Sequence, residues 1–288
     1  MNIGYLYALA AFGIWGLFPL YFQFLAQISA LEIVLQRSVW SLVFVFGLLA
    51  VQGRWAWLGE TLRQPRRLAI FVASALLLSC NWLTYVYAVQ SGQVVEGSLG
   101  YFINPLVNVL LGVVVLRERL RPVQWLAVGL AAAGVVWLTW QAGRLPWIAL
   151  VLAGSFGLYG LIRKTAALGA LEGLAVENLV LAPIVVPALL WWTFSHGGAL
   201  AQGSPALVGW TLLLGPLTAL PLLFFAAAAR RLPLAMLGMV QYTSPSLQLL
   251  LAVAVFHEHF DQQRLLGFAL IWSALLLISV DALRRRNG

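Results

Sequence analysis

Long apolar runs separated by short polar loops follow one another along the whole chain. A helix rises about 1.5 Å per residue, so about 20 apolar residues cross the roughly 30 Å of hydrocarbon in a bilayer. Ten runs reach or approach that length, and they cover roughly residues 3 to 25, 31 to 51, 68 to 90, 94 to 116, 122 to 141, 146 to 163, 173 to 194, 207 to 229, 234 to 256 and 265 to 282. The pattern predicts ten membrane-spanning helices.

The fourth run carries polar side chains on one face of an otherwise apolar segment. At helical spacing, Tyr101, Asn104 and Asn108 fall on the same side. Pro105 lacks an N–H group, so the carbonyl of Tyr101, four residues earlier, loses its helical donor. Because lipid cannot satisfy such groups, this face must contact protein or a water-filled cavity. We interpret it as part of a substrate path.

The same arrangement returns 140 positions later, in the ninth run. There Gln241 and Gln248 occupy the matching face, and Pro245 corresponds to Pro105. This correspondence indicates an internal duplication. Each half contains five predicted helices, an odd number, so the second copy would enter the membrane from the opposite side and form an inverted repeat.

These patterns predict an all-α integral membrane protein with ten transmembrane helices in two inverted five-helix repeats. The first repeat is expected over residues 3–141 and the second over residues 146–282. Antiparallel halves that enclose a site near the membrane midplane are typical of transporters that work by alternating access. The alternative is a duplication that only builds a scaffold.

The composition agrees with a membrane protein and excludes an ordinary soluble domain. Hydrophobic residues make up 62% of the chain, charged residues 9%, and the mean hydropathy is +0.92. A net charge of +8 is also typical of nucleic-acid binders, but the basic residues lie at the ends of apolar runs, where membrane orientation explains them. No nucleic-acid partner is expected. Cys80 is the single cysteine, so no internal disulfide can form.

The positions of the basic residues predict the orientation in the membrane. Of the 17 Lys and Arg residues, only Arg144 and Arg264 fall in loops on one side, and only Arg37 lies within a predicted span. All others fall in the loops and tail on the opposite side, which the positive-inside rule assigns to the cytoplasm. Both termini are therefore expected in the cytoplasm.

Four stretches of the chain resemble a known transporter family. They are EIVLQRSVWS (32 to 41), NWLTYVYAV (81 to 89), EGSLGYFINPLVN (96 to 108) and LRERLRPVQWLAV (116 to 128). They resemble the RarD group of EamA-type proteins in the drug/metabolite transporter superfamily, and the likeness covers essentially the whole length. It implies ten helices in two EamA repeats, a bacterial inner-membrane location, and outward movement of small metabolites or drugs.

One position departs from the pattern of that family. Many of its members have a histidine before the arginine of the second helix, whereas here Gln36 precedes Arg37. A proton relay through this position is therefore not expected in this chain.

Eleven residues are candidates for substrate binding because they combine polar or aromatic side chains with positions inside predicted spans. They are Trp15, Arg37, Asn81, Trp82, Tyr101, Asn104, Asn108, Tyr159, Glu177, Gln241 and Tyr242. The aromatic residues would form flat walls with polar tips. The alternative for each of them is simple helix packing or an interfacial position.

Two charged candidates each have two interpretations. A lone guanidinium inside a span costs roughly 2.5 kcal/mol or more, so Arg37 is expected either to anchor an anionic or carboxylate-bearing substrate or to be neutralised within the protein. In the second case it would pair with Glu32 or Glu96, or extend to the interface. Glu177 is expected either to titrate during substrate exchange or to be a hydrogen-bonded carboxylate near the interface.

The sequence as a whole predicts a secondary active transporter that exports small organic molecules by alternating access, with a central cavity between the repeats. Uptake by the same fold, and an intramembrane enzyme acting on lipid-embedded substrates, are the alternatives. No cofactor and no metal are expected, since His257, Glu258 and His259 are more typical of a solvated loop. The expected partners are a small-molecule substrate and the bilayer, with protons as a candidate coupling ion, and the protein would be a monomer or a homodimer.

Overall fold

The computed structural model describes residues 3–53, 55–141, 146–257 and 262–284, although the side chain of Glu96 lies outside this description. Within these ranges all regular structure is helical, which confirms the predicted class. The helices are α1 (Ile3–Phe22), α2 (Ala30–Gln52), α3 (Ala56–Leu62), α4 (Pro65–Gln90), α5 (Val94–Val114), α6 (Pro122–Gln141), α7 (Trp147–Thr165), α8 (Ala170–His196), α9 (Gly198–Gln202), α10 (Pro205–Ala229), α11 (Leu234–Gln241), α12 (Thr243–Ala254) and α13 (Gln262–Arg284).

Eight helices in the described part are long and apolar enough to cross a membrane, so the chain is a multi-pass membrane protein. They are α1, which a short 3₁₀ turn extends to Leu25, together with α2, α4, α5, α6, α7, α8 and α10. The predicted tenth span corresponds to α13, whose apolar part, Leu265–Asp281, is shorter. The predicted ninth span consists of two helices, α11 and α12, so the count of ten stays a prediction.

The two corresponding prolines have different effects on their helices. Pro105 lies inside α5, which continues through it, whereas Pro245 lies in the first turn of α12, directly after α11 ends at Gln241. Tyr242 joins α11 to α12 with helical dihedral angles, φ −59° and ψ −15°. The interruption is therefore a local loss of hydrogen bonding and not a reversal of the chain.

Two helix ends that are 140 positions apart have the same backbone geometry. In the described part, Arg117 (φ 56°) and His257 (φ 53°) are the non-glycine residues with positive φ. Each follows a helix end, of α5 and of α12 respectively. At each end, two successive backbone amides donate to the carbonyl of one leucine. The amides of Val115 and Leu116 donate to Leu111, and those of Val255 and Phe256 donate to Leu251. The two halves of the chain thus terminate these helices in the same way.

Helices from the two halves pack closely against one another. Helix α5 packs on α7 and α11, α1 packs on α10 and α12, and α2 packs on α8 and α10. Helices α6 and α13 form a further pair. The halves therefore share one helical bundle, and any space at its centre is lined by both.

One end of the bundle is tied together by basic side chains. Lys164, at the end of α7, donates hydrogen bonds to the carbonyls of Ala229 and Leu232. Arg230, just after α10, donates in return to the loop that follows α7. Arg163 had been assigned to a loop at this end, and that assignment is wrong: its side chain is buried within α7, with 2% of the residue exposed.

Candidate functional site

A cavity of about 170 Å³ lies between the two halves of the bundle. Its walls come from α1, α4, α5, α7, α10, α11 and α12, and most of the lining is aromatic or aliphatic. Six of the candidates predicted from the sequence line it: Trp15, Asn81, Trp82, Tyr101, Asn104 and Gln241. The other five lie outside its lining. The cavity is therefore enclosed mainly by apolar surface with a few amide and hydroxyl groups, as is usual for a small-molecule site.

Three amide side chains form a continuous network on one side of this cavity. Asn108 Nδ2 donates to Asn104 Oδ1 (3.1 Å) and to Gln241 Oε1 (2.9 Å). Asn104 Nδ2 donates to the carbonyl of Ala153 on α7 (3.0 Å). Asn108 is fully buried and does not reach the cavity. It fixes the orientation of the Gln241 amide, whose NH₂ group is then available to a molecule in the cavity.

A backbone carbonyl that lacks its helical hydrogen bond is a second polar feature of the wall. Pro19 lies inside α1 and has no N–H group, so the carbonyl of Trp15 loses its helical donor. Gln248 Nε2 on α12 donates to this carbonyl (3.2 Å). The sequence pattern places Gln248 on the polar face, but the partner of its amide depends on the approach of α1 to α12, which the pattern does not give.

A further part of the wall is made by α4 and α5. Asn81 Nδ2 donates to the carbonyl of Leu152 (2.8 Å) and to Ser155 Oγ (3.1 Å), which ties α4 to α7. Trp82 and Tyr85 meet edge to face, with ring centroids 6.0 Å apart. This wall offers aromatic surfaces and one amide oxygen to the cavity.

A cluster of aromatic rings closes the cavity toward the end that carries Lys164. Phe225 is its centre and contacts Phe12, Phe156 and Tyr159, with ring centroids 6.1, 5.0 and 6.0 Å away. Tyr159 was predicted to bind substrate, but it is fully buried in this cluster and does not line the cavity. Its position favours the packing interpretation.

Tyr242 is also buried outside the cavity. Its hydroxyl donates to the carbonyl of Phe102 on α5 (3.1 Å). Phe102 is the residue 140 positions before Tyr242, which is the offset of the predicted repeat. Tyr242 therefore ties α5 to the junction of α11 and α12.

Arg37 lies behind the aromatic wall and is only 6% exposed. Its Nε donates to Thr218 Oγ1 (3.2 Å), and its guanidinium carbon lies 3.2 Å from the centroid of the Trp82 ring. The described part of the chain places no carboxylate within ion-pair distance of Arg37. Glu32, one of the two expected partners, instead accepts hydrogen bonds from the Ala199 amide (2.6 Å) and from Trp192 Nε1 (3.2 Å). The side chain of Glu96 lies outside the described residues.

Glu177 is buried in a hydrogen-bonded cluster on α4, α7 and α8. It accepts from Ser74 Oγ (2.6 Å) and Tyr159 OH (3.4 Å) and pairs with Arg163 (3.3 Å). None of these groups lines the cavity. The arrangement agrees with the hydrogen-bonded interpretation of Glu177. The sequence analysis missed Arg163 as its partner because a basic residue near the end of an apolar run is usually a loop residue.

Three further charged side chains join the loops at the closed end, and we call Glu118, Lys164 and Arg230 the clasp. Glu118 accepts hydrogen bonds from the first two backbone amides of α11, those of Leu234 (2.6 Å) and Ala235 (2.9 Å). It also lies 3.8 Å from Lys164 Nζ. A carboxylate at a helix N-terminus satisfies free amides and the helix dipole together. The clasp thus connects the end of α5 to α7 and α11.

No metal-binding cluster of three His, Cys, Asp or Glu side chains occurs among the residues that the structure describes. Glu258 and His259, which the sequence analysis considered beside His257, lie outside those residues.

Comparison with known proteins relates the chain to membrane transporters. Residues 2–140 match the EamA-like transporter family. An uncharacterized transporter of Pseudomonas aeruginosa is 50% identical over 98% of this chain and 94% of its own length. Protein RarD of Streptomyces exfoliatus is 47% identical over 98% of this chain and 89% of its own length. A solved crystal structure that is 18% identical matches 97% of this chain and 98% of its own length with a TM-score of 0.76, which shows a shared fold.

Proposed function

This chain belongs to the EamA-like transporter family, and we propose that it is a secondary active transporter that exports small organic molecules across the bacterial inner membrane by alternating access. The observation that carries the proposal is the cavity between the halves, with the aromatic cluster packed against it and the clasp joining helices of both halves beyond that cluster. A substrate path needs such a space, and alternating access needs a closure that can open. Both features are built from helices of both halves.

We infer from the predicted orientation that the present conformation is outward-facing. With both termini in the cytoplasm, the clasp lies at the cytoplasmic end, where the basic loops meet. In that orientation, the lining residues of α1, α4, α5 and α7 belong to the outer parts of these helices, and those of α11 and α12 lie near the junction of the two helices. In the inward-facing state the clasp would separate, and the outer walls would come together.

An inverted repeat would allow the exchange between these two states. We infer ten spans in two repeats, residues 3–141 and 146–282, with α11 and α12 together acting as the ninth span. The matching backbone geometry at Arg117 and His257 supports this division. So does the packing of α1 on α10 and α12, which corresponds to the packing of α7 on α4 and α5. Two halves of similar shape can exchange conformations, and the exchange moves the opening from one side to the other.

The cavity suits a small aromatic or amphipathic molecule. Aromatic rings form its walls, while the Gln241 NH₂ group and the Asn81 carbonyl oxygen offer one donor and one acceptor at separate places. Its volume of about 170 Å³ gives room for a small organic molecule. Either the substrate gradient or a proton gradient would supply the energy.

Counterflow in proteoliposomes tests this function. Thermal-shift screening of purified protein against amino acids, nucleobases and amphipathic drugs first selects a ligand. Exchange of that unmodified compound across the membrane supports transport. A covalently changed product supports the alternative of an enzyme, and binding without any exchange contradicts a transporter.

Two substitutions connect the flux to the amide network. Asn104→Ala and Gln241→Ala should each reduce counterflow at least a hundredfold while the protein still folds. Asn178→Ala is the matched control, because Asn178 is a helix amide that bonds Ser41 and does not line the cavity. Normal flux in both network variants would remove the site from these two helices.

A further inference from the structure

We propose that Arg37 determines the charge preference of the cavity, so that it favours solutes carrying a carboxylate or another anionic group and rejects cations. This inference rests on the proposed function, because it assigns the substrate class to the same cavity. Arg37 would act through space, behind the Trp82 ring, and not as a direct ligand in the outward-facing state.

Arg37 is a buried charge, and none of the described side chains provides a counter-charge for it. Arginine stays protonated at neutral pH, and a buried cation is costly unless an anion neutralises it. Among the contacts that the structure describes, Arg37 has one hydroxyl, Thr218, and one aromatic face, Trp82, and the Tyr101 phenol lies near enough to interact with it electrostatically. None of these three groups carries a negative charge at neutral pH. An anionic solute in the cavity would bring a negative charge close to the Arg37 guanidinium.

The cavity wall does not cancel this charge. None of the residues described as lining the cavity is Asp, Glu, Lys or Arg. Glu32, on the same helix as Arg37, is held by Gln36, Trp192 and the Ala199 amide, toward α8 and α9. The guanidinium is therefore the charge that a solute beside Trp82 experiences most strongly.

The distance between the Arg37 guanidinium and a solute in the cavity is short enough for a strong electrostatic effect. Trp82 lines the cavity, and the Arg37 guanidinium carbon lies 3.2 Å from its ring centroid. A solute in van der Waals contact with the other side of the indole would lie about 7 Å from that carbon, since contact adds about 3.5 Å. At this distance, with an effective dielectric constant of about 20, a unit charge on the solute changes binding roughly 50-fold. The sign favours anions.

The test uses three probes of one shape and different charge. Phenylacetate, phenylacetamide and phenethylamine are anionic, neutral and cationic at pH 7.5, and their binding to the purified full-length protein is measured by calorimetry. We expect the wild type to bind phenylacetate at least tenfold more tightly than phenethylamine. Equal affinities, preference for the amine, or no binding of any probe would overturn the inference.

A matched pair of variants at Thr218 isolates the charge while Arg37 stays in place. In Thr218→Asp, the new carboxylate lies beside Arg37 and should neutralise it, so phenylacetate binding falls at least tenfold and phenylacetamide binding changes less than threefold. Thr218→Asn has nearly the same shape without the charge and should keep the wild-type preference. Equal losses in both variants would contradict a role for charge.

Variants of Arg37 give an independent measurement. Arg37→Gln should abolish the difference between the anionic and cationic probes, whereas Arg37→Lys should retain most of it. Glu96→Gln should leave the preference unchanged. A large rise in anion preference in Glu96→Gln would identify Glu96 as the counter-ion of Arg37 and overturn the inference.

The inference and the proposed function fail in different ways. If the protein binds phenylacetate with the expected dependence on Arg37 but shows no counterflow of it, the charge preference stands and transport does not. If counterflow of phenylacetamide occurs and the charge of the probe makes no difference, transport stands and the role of Arg37 is wrong.

Discussion

Among the residues that the structure describes, two arginines, Arg37 and Arg163, are buried, and their surroundings differ. Arg163, near the clasp, pairs with Glu177 and donates to the carbonyls of Gly169 and Ala170. Arg37, beside the cavity, has a hydroxyl and an indole face in the described structure. Both side chains are almost fully buried. Glu177 neutralises the charge of Arg163, whereas no described carboxylate pairs with Arg37.

The difference separates a structural role from a functional one. A buried ion pair with additional hydrogen bonds holds its helices in a fixed arrangement, because removing either partner leaves an unpaired charge. A buried cation without an anion gains most from a ligand that brings one. The closed end of the bundle would thus be held by internal charges, whereas the cavity end depends on what enters it.

The largest effect is expected from breaking the pair at the closed end. Glu177→Ala leaves Arg163 buried without its carboxylate, so the free energy of unfolding should fall by about 3–5 kcal/mol. Denaturant unfolding of the purified protein in detergent measures this loss. Glu60→Ala, at an exposed position of α3, is the control and should change stability by less than about 0.5 kcal/mol. A similarly small loss in Glu177→Ala would mean that the pair is not structural.

A smaller effect is expected from the clasp. Glu118→Ala removes the acceptor for the first two amides of α11 and the partner of Lys164. Loss of a helix cap with its charge costs about 1–2 kcal/mol, and here the outward-facing state should bear that cost. Limited proteolysis of the loops at this end, compared with wild type and Glu118→Gln, should show faster cleavage in the alanine variant. Unchanged cleavage would argue that the clasp does not hold the end closed.

A weaker effect is expected where Arg37 meets the wall. Trp82→Phe keeps an aromatic face but reduces the attraction between ring and guanidinium, so stability should fall by about 0.5–1 kcal/mol. The change in thermal midpoint measures it, and Trp137→Phe on α6, away from the cavity, is the control. A loss equal to that of Glu177→Ala would show that Arg37 depends on Trp82 as much as Arg163 depends on its carboxylate.

The smallest loss of stability is expected from Arg37→Met, and it should contrast most clearly with the loss in Arg163→Met. Methionine fills a similar space without the charge, so the protein keeps its free energy of unfolding within about 1 kcal/mol or becomes more stable, because the cost of a buried charge disappears. Arg163→Met should instead be destabilising by several kcal/mol, since it strands Glu177. Equal losses in the two methionine variants would remove the distinction between the arginines.

Much of this arrangement could be predicted from the sequence because its signals are periodic. The spacing of Asn104 and Asn108, repeated around Gln241, placed these amides on one face, and they do meet in one network. Apolar runs likewise predict helices well, since a bilayer leaves few other choices. Signals of this kind depend on local spacing alone.

The remaining features depend on contacts that local spacing does not determine. Arg163 follows an apolar run as a loop residue would, and only the approach of α8 buries it beside Glu177. Tyr159 has the aromatic ring and hydroxyl group that are common in cavity walls, but it is buried against Phe225. Sequence alone also could not show that Glu32 does not pair with Arg37. The two residues are close in sequence, but in the described structure the Glu32 carboxylate accepts a hydrogen bond from the Ala199 amide instead.

The central claim is that the cavity opens to the two sides of the membrane in turn, and cysteine accessibility tests it most directly. A single cysteine replaces Ser244, which lines the cavity, in a background where Cys80 is serine, and an impermeant maleimide is applied to each side. The account predicts rapid labelling from outside, slow labelling from the cytoplasmic side, and faster cytoplasmic labelling once Glu118→Ala is added. Labelling from the cytoplasmic side alone, or no response to Glu118→Ala, would contradict it.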